Sequence, residues 1–86
     1  MIEIAITPSF HSKLKKIDQR LLEELNDAIE KLKDRKSHAA LKLHKLRGPL
    51  RGRCAISVDY RHRIIFRWVT ETRILLLDFG DHSVYE

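Results

Sequence analysis

The sequence predicts an α+β domain with two N-terminal helices packed on an antiparallel sheet of about four strands, in the order β-α-α-β-β-β. Three observations predict it. Ile2, Ile4 and Ile6 alternate with Glu3 and Ala5 at the start of the chain, the period of a half-buried strand. A stripe at helical spacing follows, made of Leu21, Leu22, Leu25, Ala28, Ile29 and Leu32. Three short apolar alternations then fill the stretch between Arg53 and Phe79, separated by turn residues. At 86 residues the chain reads as one domain, residues 1–86. A chain of that size buries about 60 to 65% of its unfolded surface. Its 43% hydrophobic content is enough to fill one modest core and argues against disorder.

The first strand ends at Thr7-Pro8. Thr7 suits a helix N-cap, and Pro8 suits the first helical position, where its missing N–H costs nothing. A short helix is expected over Pro8–Lys16, with Phe10 and Leu14 on one face. Asp18 caps the next helix, about four turns long and ending near Asp34–Ser37. Glu23, Glu24, Glu30 and Lys31 lie on its polar side. Lys36–Pro49 is a connector in which Leu41, Leu43 and Leu46 alternate with basic residues, and it is expected to pack irregularly against the sheet. Gly48-Pro49 and Gly52 mark turns. Strands are expected at Arg53–Val58, His62–Val69 and Ile74–Phe79, joined through Asp59-Tyr60-Arg61 and Thr70-Glu71-Thr72.

The net charge of +5 is unevenly placed. From Lys42 to Arg67 there are eight basic residues and one acid, Asp59, so this segment carries +7 and the rest of the chain −2. Such asymmetry fits a polyanion, either nucleic acid or an acidic protein partner. Several classes are excluded. Cys54 is the single cysteine, which rules out an intrachain disulfide or a cysteine-based metal site and leaves it as a small, half-buried strand residue. The five histidines show no zinc-site spacing and no HExxH, so no metal is expected. There is no glycine-rich phosphate loop, and no cofactor is expected. The start lacks the basic flank and apolar run of a signal peptide, and the longest apolar stretch, around Ile74–Leu77, is too short for a bilayer. A reducing cytoplasm, away from any membrane, is the expected location.

His82 stands just past the last strand, after Gly80-Asp81 and three residues before Tyr85. A histidine titrates near neutrality, so beside a basic sheet face it could move a proton on a phosphodiester; taken without context, a lone histidine near the end of a chain reads as an ordinary surface residue. Arg63 lies inside a strand. Its planar fork fits a phosphate, or else an ion pair with Asp59, Asp78 or Asp81. His44, Lys45 and Arg47 sit in the connector within reach of a phosphate chain, or form a solvated loop face. Tyr85 could stack on a base or close the core, and Trp68 could pack or stack.

Three runs carry a family resemblance. They are Lys42-Leu-His-Lys-Leu-Arg-Gly-Pro-Leu-Arg-Gly-Arg, then Val58-Asp-Tyr-Arg-His-Arg-Ile-Ile-Phe, then Leu77-Asp-Phe-Gly-Asp-His-Ser-Val-Tyr. In this order and at this length the chain resembles the RelE/ParE toxin superfamily, and its ending resembles that of the YafQ-like branch. The resemblance implies a toxin of a type II toxin–antitoxin pair, with a cognate antitoxin as partner. It implies a metal-independent mRNA endonuclease acting on translated mRNA at the ribosome, in which the RNA's own 2′-OH attacks the adjacent phosphate. Carried over by position, His82 matches the tail histidine of proton transfer and Arg63 the strand arginine that stabilises the phosphate. His44 matches a connector histidine and Tyr85 the terminal aromatic position. Lys42, Lys45, Arg47, Arg51, Arg53 and Arg61 would hold RNA. Ala55 and Ser57 stand where active relatives often carry basic residues or histidine, and Asp78 stands near an arginine position. Two further readings stay open: a ParE-like inhibitor of DNA gyrase, and a member that binds its antitoxin with weak or no nuclease activity.

Overall fold

The computed structural model of the chain describes residues 1–81. Along it run β1 (Glu3–Ile6), α1 (Pro8–Leu14), α2 (Gln19–Leu32), β2 (His44–Lys45), β3 (Cys54–Ser57), β4 (Arg63–Thr70) and β5 (Arg73–Gly80), with short 3-10 turns at Arg35–Ser37 and Gly48–Leu50. Both helices begin as their caps dictate. The Phe10 N–H donates to Thr7 Oγ1 at 3.1 Å, and the Leu21 N–H donates to Asp18 Oδ1 at 2.8 Å. Each cap is worth about 1 kcal/mol.

The α+β class and the two-helix layer match the sequence reading, and the sheet is richer than expected. It has five strands in the order β1-β5-β4-β3-β2. The run β3-β4-β5 is the antiparallel meander, while β1 pairs parallel to β5, with Glu3 opposite Arg73 and Ile6 opposite Leu76. The sheet is therefore mixed. No local periodicity reports that pairing, because its partners are 70 residues apart and the helices carry the crossover. The additional strand, β2, is a two-residue piece of the connector, too short to show alternation. Gly48 and Gly52, at φ of 65° and 91°, fold the connector back so that the Leu46 N–H reaches Arg53 O at 2.9 Å.

The two helices cover one face of the sheet. Phe10, Leu25, Ala28 and Leu32 pack there against Cys54, Ile56, Ile64, Phe66, Ile74, Leu76 and Phe79. Phe10 and Phe79 meet edge to face at 5.0 Å. A fully buried leucine on that stripe contributes about 1.5 to 3 kcal/mol. By strand alternation Ala55, Ser57, Arg63, Ile65 and Arg67 point to the other face. A bulge adjusts the end of the sheet. Ile65 pairs with Asp78 but Phe66 pairs with Leu76, so Leu77 is an extra residue on β5. No helix of the described residues is long and apolar enough to cross a membrane.

Candidate active site

The candidate site lies at the end of the sheet where β3 turns into β4. In the turn, Asp59 Oδ1 accepts the N–H groups of Arg61 at 2.8 Å and His62 at 2.7 Å, and the Val58 N–H donates to His62 O at 2.9 Å. An aspartate bonding its own main chain two and three residues on is a turn-former by chemistry. The His62 ring Nδ1 lies 3.1 Å from both carboxylate oxygens of Asp59. Arg63 opens β4 immediately after. Its Nη1 donates to Asp59 O at 2.8 Å and to His62 O at 3.0 Å. The guanidinium is thus tied to the turn at one corner, and its side chain is half-buried. The ion pair of Arg63 with Asp59 that the sequence allowed takes a different form, since the main-chain carbonyl of Asp59 is the acceptor.

Glu24 on α2 completes the turn's electrostatics. Burial acts to raise the Asp59 carboxyl, but hydrogen bonds from Glu24, from the main chain at His62 and Arg61 and from the His62 ring outweigh it, and hold Asp59 well below the usual carboxylate range. The bond to Asp59 pushes Glu24 the other way, upward, helped by burial. Two neighbouring carboxyl groups are shifted in opposite directions in this manner, one lowered and the other raised. Neither Glu24 nor the Asp59–His62 contact was read from the sequence. The Asp59 turn signature was visible there, whereas the approach of α2 is a tertiary fact.

The pairing of β4 with β5 sets Gly80 opposite Arg63. His82 and Tyr85 lie outside the described residues; His82 follows Gly80 by two positions. Lys13 of α1 holds the chain just before that point. Its Nζ reaches Asp78 Oδ1 at 2.5 Å and Phe79 O at 2.9 Å, and stands 5.5 Å from the Phe79 ring centre. Beyond Ile6, where β1 has ended, α1 takes its place beside β5. Asp78 is thereby paired with Lys13, and the sequence reading had no signal for Lys13.

The other predicted residues divide between the two faces of the sheet. His44 pairs with Ala55, which pairs with Ile65, so His44 lies on the face of Arg63 at the β2 edge. Its ring Nδ1 is 2.9 Å from Lys42 O, and Lys42 itself takes a positive φ of 57°. Lys45 pairs with Cys54 and so lies on the opposite face, with Arg51 and Arg53 lining the same hollow. Arg47 is exposed at the start of the turn Gly48–Leu50, and Arg61 is exposed in the β3–β4 turn. Ala55 is fully buried, and Ser57 pairs with Arg63. Cys54 is buried, more than the sequence suggested, and burial pushes its thiol up although Lys45 acts against it.

Residues 5–82 match the family model of the HigB-like toxin, a RelE-like toxin of the type II toxin–antitoxin system HigB. The chain belongs to this family of RelE-like toxins. The match starts within β1 at residue 5 and runs to the residue after Asp81, so it takes in every element from α1 to β5. Solved RelE-like structures share the fold. YafQ from E. coli strain BL21(DE3) is 17% identical, with 98% of this chain and 97% of that chain covered and a TM-score of 0.78. The YoeB–YefM complex from Staphylococcus aureus is 16% identical over 95% and 98% of the two chains, with a TM-score of 0.74. A copper-bound mutant toxin from Helicobacter pylori is 20% identical over 100% of both, with a TM-score of 0.71. At these identities the likeness is one of fold. Comparison with curated protein sequences gave no match.

Proposed function

We propose that this RelE-like toxin is an endoribonuclease that cuts translated mRNA on the ribosome, with no metal in the reaction. The observation that carries the reading is the register of β4 against β5. It sets Arg63, anchored by two carbonyls, opposite Gly80, two residues before His82. In this reading the 2′-OH attacks the adjacent phosphorus and its proton passes to a base. The bond to the 5′-oxygen breaks and that oxygen takes a proton from an acid, leaving a 2′,3′-cyclic phosphate and a 5′-OH. Arg63 neutralises the charge that gathers on the phosphate oxygens. His82 moves a proton, with Tyr85 beside it in sequence, and His44 serves from the β2 edge. Lys42, Arg47 and Arg61 hold the RNA backbone outside the reacting phosphate.

A cognate antitoxin is the protein partner in this proposal. An acidic or amphipathic segment suits the basic face by charge, and the outer edges of β1 and β2 offer strand pairing. Co-purification with the product of a neighbouring gene tests it.

The deciding experiment is induced expression followed by primer extension on cellular mRNA. Wild type is expected to arrest growth and leave cuts in translated codons, and both His82→Ala and Arg63→Ala are expected to abolish them. Intact cutting in both variants would sink the mechanism. A second reading has one observation in its favour: on β3, Ala55 and Ser57, which share the face of Arg63, carry no titratable group. Normal growth on overexpression of folded protein would move the assignment to an antitoxin-binding member without nuclease activity.

A further inference from the structure

Trp68 lies at the other end of β4 from Arg63, about 17 Å away along an extended strand. Alternation sets it on the face opposite Arg63. It is half-buried, and it borders two hollows at once. One, of ≈ 660 Å³, is lined by Arg35, Trp68, Val69, Thr70 and Glu71. The other, of ≈ 400 Å³, is lined by Lys45, Arg51, Arg53 and Trp68 among others.

The two sides differ in chemistry. On the first, Arg35 is fixed over the indole. Its Cζ stands 5.2 Å from the ring centre, and its Nη2 donates to Glu71 O. The His38 ring stands 6.2 Å from the same indole, tilted by 58°. On the second side three exposed cations, Lys45, Arg51 and Arg53, line one hollow, and among the described residues no acid lines it. Trp68 packs against the core and meets Phe66 edge to face at 6.2 Å, and the part of it that lines the second hollow stands next to cations that no acid there neutralises, the two kinds of group that a base and its phosphate use. An acidic peptide would use the cations and leave the indole unused.

We propose that Trp68 is a base-stacking platform for single-stranded RNA, with the phosphate held by Lys45, Arg51 and Arg53. This second RNA contact rests on the reading of the chain as an RNA-handling toxin, and it lies away from the cleavage end. The edge strand β2 links the two, since His44 faces the Arg63 side and its neighbour Lys45 faces the Trp68 side. RNA passing over that edge meets both.

Trp68 is the single tryptophan, so its fluorescence reports the site directly. The protein for the test is the full-length His82→Ala variant, and the probes are AMP, an eight-nucleotide oligouridylate and an oligoglutamate of similar charge. Saturable quenching by AMP and by the oligouridylate is expected. Lys45→Gln with Arg53→Gln is expected to weaken both at least tenfold. Trp68→Phe keeps oligouridylate affinity, measured by anisotropy, while Trp68→Leu weakens it by about five- to a hundredfold. The inference is overturned if the oligouridylate binds with Trp68 unquenched, if Trp68→Leu folds and binds like wild type, or if oligoglutamate quenches as strongly as RNA. Quenching in a protein whose wild type cuts no mRNA supports this site and counts against the endoribonuclease alone. Cutting by a protein whose Trp68 stays silent does the reverse.

Discussion

At the residue scale the turn Asp59–Arg63 decides most. Arg63 is held by Nη1 to two carbonyls, so the turn fixes the orientation of its guanidinium. Arg63→Ala is expected to lower the single-turnover cleavage rate by about 10²- to 10³-fold, the usual cost of removing one group that stabilises developing charge. Arg63→Lys restores charge but not the fork, and should recover only part of it. Asp59 is a stability residue in the same turn. Its folded-state carboxyl is held below the ordinary range, so its contribution is present above about pH 4 and is lost as pH falls through the folded value. Glu24 is raised, and its contribution runs the other way, present below its unfolded value and lost as pH rises through the folded one. Asp59 bonds two main-chain N–H groups and a histidine, so its sign is expected to prevail. Urea titrations at pH 7 and pH 3 check this. Asp59→Ala should lose about 2 kcal/mol at pH 7. Asp59→Asn keeps the acceptor and should flatten the fall toward pH 3.

At the element scale the unread contact is α1 against β5. Lys13 pairs with Asp78 where both side chains are two-fifths exposed, so the pair itself is worth at most about 1 kcal/mol. Lys13→Met is therefore expected to leave the melting temperature within a few degrees of wild type. If Lys13 holds the approach to His82, the same variant lowers cleavage well beyond that small change in stability. Unchanged cleavage would limit Lys13 to packing on Phe79. The elements themselves were legible where a local signal exists. Thr7-Pro8 and Asp18 announced the helix starts, and the stripe Leu25-Ala28-Leu32 announced the buried side of α2. The strand β2 had no signal, because two residues cannot show a period. The bulge at Leu77 had none either, because a bulge belongs to a pair of strands and not to one of them. Of the candidate site, Arg63, His44 and the cations were proposed from residue type and order, while Glu24 and Lys13 were not. Both arrive from helices that only the tertiary fold brings near.

At the scale of the whole molecule the positive charge of residues 42–67 is distributed over both faces of the β2–β3 edge. Binding to single-stranded RNA is then expected to weaken steeply with salt, by about 0.7 in the log–log slope for each phosphate neutralised. Arg53→Gln should reduce that slope by about that amount, and Glu3→Gln, on the distant β1 edge, should leave it unchanged. Filter-binding across a salt series separates the two. The parallel pairing of β1 with β5 has a consequence in time. The strand that lies between β1 and β4 is made after both of its neighbours, and the first strand waits some 70 residues of synthesis for its partner. Contacts of such long range slow folding. A growing chain emerging from one ribosome therefore lacks an interior strand, and the segment that faces Arg63, until nearly all of the described residues have been made.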